Sequence, residues 1–308
     1  MNPGIPKVLI IRWRGGRFPL PKSSVYIGAR PFFHGEFLEM LDLERIFGTI
    51  KPIIGMVHLA PLPASPFFNP ADYPEKIVHR ALSDVRALQR GGIDGILFSN
   101  EGDRPYSFRV GPETVSSMAF VIGRVFDEIE VPFGVDVIWD PYATIGLAKA
   151  VGANFARTIV SGSFASDLGI IDVKGGEVLR YRKRLGAEDI PLFAYINPEF
   201  GVPLGGRDVA TIAKGLSFLS VADVFCVSGP RTGTPPTVDD IRSVKEAVPD
   251  VPVFLNTGAN KENITSFLEV VDGVIVGTSL KKGGITWNPV DEARVKEFME
   301  VVRRARGE

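Results

Sequence analysis

Cysteine and histidine are scarce in this sequence of 308 residues, which contains one cysteine, Cys226, and three histidines. A single cysteine excludes an internal disulfide, and so few cysteines and histidines cannot assemble a zinc cluster. Cys226 falls in the middle of a predicted strand, which favours a packed core thiol over a reactive one. We therefore expect a protein of a reducing, cytoplasmic compartment.

Long apolar runs and an excess of one charge are also missing. No apolar stretch approaches the ~20 residues that a membrane-spanning helix needs, and the early run at residues 8–11 is too short for a signal peptide. Lys and Arg number 35 against 36 Asp and Glu, so the chain has no overall field for nucleic acid, and no nucleic-acid partner is expected. The hydrophobic content of 45% predicts a folded, soluble protein with a sizeable core.

The N-terminal segment differs in charge from the rest of the chain. Six basic residues lie between Lys7 and Arg30, and no acidic residue precedes Glu36. The segment fits a basic interaction arm, a targeting segment or sequence translated ahead of a start at Met40, and its short apolar runs also allow a small packed hairpin. We predict a basic, non-barrel extension over residues 1–46 and one domain over residues 47–308.

Short apolar runs alternate with longer helical patterns from Lys51 onward, which is typical of βα units around a parallel sheet. The predicted strands cover residues 53–58, 95–100, 133–138, 155–160, 192–197, 224–228, 253–257 and 274–277. The predicted helices cover residues 75–90, 113–129, 142–151, 176–186, 208–219, 238–248, 261–270 and 289–305. Eight units in about 250 residues predict an α/β protein of the (β/α)8 TIM-barrel type. A doubly wound open sheet is the alternative, but residues 57–63 do not form its glycine-rich loop.

Polar residues at the carboxyl ends of the predicted strands are the candidates for catalysis, because barrel active sites lie there. We predict that His58 and Asp136 exchange protons, while Asn100 and Asn197 orient substrate oxygens. A structural role for His58, ordering the proline-rich loop that follows it, remains open. The other candidate residues at the mouth are Asp103, Arg157, Ser228 and Thr232.

The pairing of Asp136 with Arg157 is expected because an unpaired buried charge is costly. The pair fits a structural role as well as a catalytic one. Cys226 lies on the same predicted strand face as Ser228.

Two glycine-containing turns predict a phosphate site. Residues 256–260 and 277–281 follow the seventh and eighth strands, where many barrels bind phosphate through main-chain amides. The predicted phosphate-binding residues are Asn256, Gly258, Gly277, Thr278 and Ser279. Lys281 or Lys282 would add a positive charge. The glycines would also be explained by tight turns alone.

No organic cofactor is expected. Lysine is absent from the predicted strand ends except for Lys281 and Lys282 in the last loop, so Schiff-base aldolase chemistry has no evident nucleophile. Our main expectation includes no metal site. The alternative is a Mg²⁺ ion held by carboxylate oxygens. Its ligands would come from Glu101, Asp103, Asp136 and Asp140.

Several separate segments resemble the BtpA/SgcQ family in the same order along the chain. They are residues 51–63, Asn100 with Gly102-Asp103, Gly162 with residues 167–171, Ser228-Gly229 with Thr232-Gly233 and Pro235-Pro236, residues 273–282 and residues 288–291. The resemblance covers about residues 47–305 and leaves the basic extension outside it. It implies a fold similar to ribulose-phosphate-binding barrels. Members carry labels from photosystem I biogenesis, sugar operons and phosphoribosylanthranilate isomerase.

The chain also departs from this family's pattern. The isomerase label expects a cysteine base and an aspartate acid where His58 and Asn197 stand. Asp136 replaces a usual asparagine, Trp139 an arginine, Ser161 a histidine, and residues 198–200 a Lys-His pair. These changes indicate either a shifted substrate or a relative without catalysis.

Two functions are therefore expected as alternatives. The first is binding of a small phosphorylated metabolite, a sugar phosphate or nucleotide, with acid–base chemistry on it. The second is an assembly or biogenesis factor that acts through a protein or membrane partner, with the basic extension contacting anionic lipid at the membrane periphery. Association into a homo-oligomer is a further expectation.

Overall fold

A computed structural model of the chain describes residues 41–308. The basic segment and Met40 lie outside the described residues, so the predicted extension and its boundary stay predictions. Within residues 41–308 the strands are β1 (Ile53–His58), β2 (Gly95–Ser99), β3 (Phe133–Asp136), β4 (Phe155–Thr158), β5 (Gly162–Ser166), β6 (Gly169–Val173), β7 (Leu192–Asn197), β8 (Gly201–Pro203), β9 (Val224–Val227), β10 (Val253–Leu255) and β11 (Gly273–Val276). The helices are α1 (Leu43–Phe47), α2 (Glu75–Gly91), α3 (Pro112–Val125), α4 (Pro141–Val151), α5 (Gly175–Arg184), α6 (Val209–Phe218), α7 (Val238–Ala247), α8 (Ile264–Leu268) and α9 (Glu292–Arg306).

Eight of the strands close into a parallel barrel in the order β1-β11-β10-β9-β7-β4-β3-β2. Strand β1 pairs with both β2 and β11, and this pairing closes the ring. The predicted (β/α)8 TIM barrel is therefore confirmed. Each strand is an apolar run because its outer face packs on helices while its inner face fills the barrel.

Large aromatic side chains fill the lower barrel. Phe155 lies 4.8 Å from Phe193, and Phe193 lies 5.1 Å from Phe254, measured between ring centroids. Each such ring pair contributes about 0.5–1.5 kcal/mol beyond the area it buries. Cys226 is buried in the same cluster, and burial raises the pKa of its thiol to about 12, so the predicted core thiol is confirmed.

Helix α1 closes the amino-terminal end of this barrel. Its Asp42 N-cap accepts a hydrogen bond from the Arg45 amide, and Gly48 ends the helix in the left-handed region. Phe47 reaches the barrel interior, with its ring 5.6 Å from that of Phe155. The amino-terminal end of the barrel interior is therefore filled.

A three-stranded antiparallel sheet, in the order β6-β5-β8, lies outside the barrel ring. The eight-unit pattern does not contain it, because β5 and β6 follow β4 within the fourth unit and β8 follows β7. Phe164 of β5 pairs with Ile171 of β6, and both side chains are buried against Trp139, Ile159 and Tyr195. The small sheet thus covers one side of the barrel mouth.

The described helices include none that is both long and apolar enough to cross a bilayer. Two predicted helices begin later than the pattern suggested. Helix α8 starts only at Ile264, since Asn263 accepts a hydrogen bond from the Asn260 amide and forms a turn first. Helix α9 starts at Glu292 because Asp291 is its N-cap.

Candidate functional site

A cavity of about 260 Å³ opens at the carboxyl end of the barrel strands. Every predicted phosphate-binding residue lines it, together with His58, Arg157 and Thr232. Four predicted site residues do not line the cavity although the barrel brings them near it. They are Asn100, Asp136, Asn197 and Ser228. Asp103 also lies outside the lining.

The two glycine-containing loops meet on one side of the cavity. The Ser279 hydroxyl of one loop donates to the Ala259 carbonyl of the other at 2.6 Å. Gly258 has a φ of +80°, and a Cβ placed there would lie 2.2 Å from the Pro235 nitrogen. Only glycine fits that backbone, because any side chain would collide with Pro235 in addition to the unfavourable φ.

Gly277 brings the second loop against the base of the cavity. A Cβ at Gly277 would lie 3.0 Å from His58 Cε1 and 3.3 Å from Met56 Cβ. Next along the loop, the Thr278 hydroxyl lies 2.9 Å from that of Thr286. The absence of a side chain at Gly277 therefore lets this loop approach the His58 ring closely.

Arg294, at the start of α9, supplies the positive charge on this side. Its Nε donates to the Ser279 carbonyl at 2.7 Å, and its side chain lines the cavity. Among residues 41–308 no carboxylate forms a salt bridge with it, so its remaining N–H groups are available to an anion. The sequence search missed it because it covered strand ends and loops but no helix.

The two lysines proposed for that charge lie elsewhere. Lys281 is fully buried, donates to the Met56 carbonyl at 2.9 Å and lies 3.4 Å from Asp84. Its ammonium group ties β1 to helix α2 and points away from the cavity lining. Lys282 is exposed and does not line the cavity either. The expectation of a lysine at the phosphate loops is corrected to Arg294.

His58 lies at the mouth of β1 as the alternation predicts, with Ile54 and Met56 below it in the barrel interior. Its Nδ1 lies 3.3 Å from the Thr286 carbonyl, so we assign the proton to Nδ1 and leave Nε2 as an acceptor. Burial, reinforced by the positive charge of Lys281, lowers the pKa of His58 well below its ordinary value. The ring is therefore neutral at neutral pH.

Asp136 and Arg157 form the predicted ion pair. Arg157 Nη2 lies 2.8 Å from Asp136 Oδ2, which also accepts from the Tyr195 hydroxyl at 3.2 Å. Burial raises the pKa of Asp136, and the Arg157 charge opposes that rise. Arg157 also donates to Asn256 Oδ1 at 2.8 Å. The carboxylate of Asp136 therefore holds Arg157 below the cavity, and its expected proton exchange with a substrate stays a prediction.

Asn100, Asn197 and Asp103 hold main-chain groups in place. Asn100 Oδ1 accepts from the Ile138 amide at 2.9 Å, and its Nδ2 donates to Asp103 at 3.1 Å. Asn197 donates to the Ser228 carbonyl at 2.6 Å and accepts from the Ser228 amide at 3.0 Å. Both side-chain amide groups order the loops around the cavity in this structure, and their predicted contact with substrate oxygens stays a prediction.

Two glutamates that were not among the predicted catalytic residues line the cavity. Burial raises the pKa of Glu199 to about 7, and the negative charges of Glu101 and Asp136 add to the rise while Arg157 opposes it. Burial also raises the pKa of Glu101, which accepts from the Tyr106 hydroxyl at 3.0 Å. A carboxyl group that titrates near neutrality is suited to general acid–base catalysis.

Aromatic side chains form the wall opposite the glycine loops. Tyr106, Trp139 and Phe200 line this side of the cavity. Trp139 stacks on Phe108 at 6.1 Å and meets the edge of Tyr106 at 5.5 Å between ring centroids. The rings hold one another in place and present an apolar surface beside the two glutamates.

The carboxylates considered as Mg²⁺ ligands do not gather. Asp140 caps α4 by accepting from the Tyr142 and Ala143 amides, and Asp103 accepts from the Leu62 amide at 2.7 Å. Asp136 is paired with Arg157. Within residues 41–308 no group of three His, Cys, Asp or Glu side chains is arranged to hold a metal ion.

Solved barrels of the same fold are similar to this chain in structure but not in sequence. The (S)-3-O-geranylgeranylglyceryl phosphate synthase of Thermoplasma acidophilum matches with a TM-score of 0.54 at 14% identity, covering 85% of this chain and 96% of the other. The thiamine phosphate pyrophosphorylase of Pyrococcus furiosus matches with a TM-score of 0.51 at 15% identity, covering 83% and 96%. These matches support the fold alone.

Relatives by sequence are much closer. The putative sgc region protein SgcQ of Escherichia coli is 43% identical over 264 residues, covering 86% of this chain and 98% of that protein. The photosystem I biogenesis protein BtpA of Synechocystis is 34% identical over 265 residues, covering 85% and 91%. The model of the BtpA family matches residues 49–304. The resemblance noted in the sequence is thereby confirmed, and the chain belongs to the BtpA family.

Proposed function

We propose that this barrel binds a small phosphorylated metabolite and acts on it by proton transfer. One observation supports this above the others. A single cavity combines two glycine loops and Arg294 with a neutral imidazole, which lies beside Gly277, and a carboxyl of near-neutral pKa. An anion-binding end and an acid–base end within about 260 Å³ suit a ligand of sugar-phosphate size.

The phosphate would bind between Gly258, Gly277 and Arg294. Glycine permits the main chain to approach an oxyanion closely, and a guanidinium offers several N–H donors in a planar fork. A barrel of the same fold was solved with its substrate sn-glycerol-1-phosphate, which fits a phosphate ligand here. Binding of the phosphate fixes the rest of the ligand toward His58 and Glu199.

His58 and Glu199 would then share the proton transfer. The unprotonated Nε2 of His58 accepts a proton from the substrate, and the protonated carboxyl of Glu199 donates one, so charge balances across the step. Either group can return its proton in the reverse direction. These roles replace the expected pair of His58 and Asp136. They fit isomerisation and other reactions that begin with proton abstraction.

A panel of phosphorylated metabolites monitored for turnover tests this function. On any substrate found, we expect Glu199→Gln and His58→Ala each to lower kcat by about 100-fold or more, the usual contribution of general acid–base catalysis. Glu300→Gln, an exposed change on α9, is the matched control and should leave kcat unchanged. Full activity in both site variants would remove them from the mechanism.

A second candidate is an assembly factor that acts through a partner. The outer face of the small sheet favours it, since Ile170 and Val202 flank Ala165 in adjacent strands and are 56% and 64% exposed. The relative named as a photosystem I biogenesis protein agrees with such a role. Removing residues 1–39 and replacing Ile170 and Val202 by serine should then weaken capture of a partner or of anionic vesicles. Unchanged capture would contradict it.

A further inference from the structure

The cavity is strongly asymmetric in charge. Arg294 is bonded to the glycine loop at Ser279, whereas Glu101 and Glu199 line the cavity where the chain leaves β2 and β7, and both glutamates are buried. The cation nearest to them, Arg157, is already bonded to Asp136 by Nε at 3.0 Å and by Nη2 at 2.8 Å. The glutamate side is therefore acceptor-rich and has no free cation among the described residues.

We infer that the ligand carries one anionic group only, its phosphate, and that its opposite end is an uncharged hydroxylated carbon chain. This inference rests on the proposed function and specifies the substrate class of the same site. Above the pKa of Glu199, which burial raises to about 7, the Glu199 carboxylate accepts hydrogen bonds from hydroxyl groups, whereas a second phosphate or a carboxylate would be repelled there at low local dielectric. The cavity thus selects monophosphates against bisphosphates and phosphorylated acids.

Phe200 sets where the carbon chain lies. Its φ of +60° is rare for a residue with a bulky side chain, and it is held by two main-chain hydrogen bonds. The Phe200 amide donates to the Pro230 carbonyl at 2.9 Å, and its carbonyl accepts from the Asp167 amide at 3.0 Å. The strained backbone fixes the ring in the cavity wall beside Glu199, where it packs against the C–H face of the ligand.

A matched pair of linear ligands tests the charge selection by calorimetry at pH 8, above the pKa of about 7 of Glu199. Sorbitol-6-phosphate ends in a hydroxyl where 6-phosphogluconate ends in a carboxylate, and inorganic phosphate probes the anion loops alone. We expect sorbitol-6-phosphate to bind at least about tenfold more tightly than 6-phosphogluconate, a difference of about 1.4 kcal/mol. In the variant with both Glu101→Gln and Glu199→Gln this ratio should fall toward one, with folding verified by circular dichroism.

Each outcome bears on one claim. Equal or tighter binding of 6-phosphogluconate to the parent overturns the inference, as does a ratio that the double variant leaves unchanged. No binding of any of the three ligands overturns the proposed phosphate site itself.

A second variant isolates the ring of Phe200. Phe200→Gly removes the aromatic side chain, and relief of the unfavourable φ offsets part of the packing lost against Trp139 and Tyr195, with folding verified by circular dichroism. We expect its affinity for sorbitol-6-phosphate to fall about fivefold while its affinity for inorganic phosphate is unchanged, because an aromatic contact contributes about 1 kcal/mol. An unchanged affinity for sorbitol-6-phosphate would overturn the placement of the chain on Phe200.

Discussion

Glu199 is a charged residue in a loop segment, yet the fold buries its side chain in the cavity wall. It follows β7 in the Pro198-Glu199-Phe200 segment, outside the strand-end positions expected to act. In the fold it is 8% exposed and its Oε1 accepts a long hydrogen bond of 3.5 Å from Asn256. A buried carboxyl with weak hydrogen bonding binds its proton more tightly than one in water.

This proton makes stability depend on pH in a defined direction. Folded Glu199 keeps its proton up to about pH 7, whereas the unfolded chain releases it near the ordinary value of 4.5. The folded state therefore binds more protons between these pH values, and its stability falls as pH rises through them. Glu199→Gln has no such proton, so its free energy of unfolding should not fall in this way. The difference in free energy of unfolding between Glu199→Gln and the parent should therefore increase by up to about 3 kcal/mol from pH 5 to pH 8, in favour of the variant.

Urea unfolding at the two pH values measures this difference. Glu300→Gln, on the exposed face of α9, is the control and should track the parent at both. Parallel pH profiles for Glu199→Gln and the parent would show that Glu199 keeps an ordinary affinity for its proton.

Sequence reasoning found which residues approach the mouth but not what their side chains bond to. His58 and Arg157 were predicted correctly to reach the mouth because strand alternation fixes their direction. The occupation of Asn100 and Asn197 by main-chain groups depends on loop geometry that no spacing encodes. Arg294 was missed for a related reason, since only the folded barrel shows that the first turn of α9 packs against the loop after β11.

At the scale of elements, the eight barrel strands were predictable because each is an apolar run buried on both faces. The small antiparallel sheet was not, since β5 buries only Phe164 and alternates too weakly to stand out from a loop.

The small sheet is held on the barrel by its buried ring. Phe164 is 2% exposed and packs with Trp139 and Tyr195, so Phe164→Ala should destabilise the protein by about 3–5 kcal/mol. Val202→Ala, on the outer face of the same sheet, should change stability by less than about 0.5 kcal/mol. Denaturant unfolding of both variants checks this, and a similar small loss for both would show that the sheet is not packed as described.

The loop that contains Gly277 gives a second prediction at this scale. A leucine at Gly277 would occupy the space above the loop and press on His58, so Gly277→Leu should abolish phosphate binding. Cys226→Ala removes a buried thiol deep in the barrel and should leave that affinity intact despite a stability loss of about 1 kcal/mol. Calorimetry with inorganic phosphate distinguishes them, and equal affinity in Gly277→Leu and the parent would leave the glycine with a turn-forming role only.

At the scale of the whole molecule, the two ends of the barrel differ: one is packed and the other holds the cavity. Aromatic packing and helix α1 fill the amino end, and the cavity with its titrating groups occupies the carboxyl end. Residues 1–39 precede α1 in sequence, and α1 lies at the end of the barrel away from the cavity. Their removal should leave phosphate affinity within about twofold of the parent, measured by calorimetry; a larger loss would tie the basic segment to the site.

The most direct test of the whole account is phosphate binding by Arg294→Gln. Parent protein, Arg294→Gln and the exposed control Arg303→Gln would be titrated with inorganic phosphate at equal ionic strength. The loss of a charge-assisted contact of about 1.5–3 kcal/mol predicts an affinity about 10- to 100-fold lower in Arg294→Gln, with Arg303→Gln matching the parent. An equal phosphate affinity in all three proteins would contradict the account.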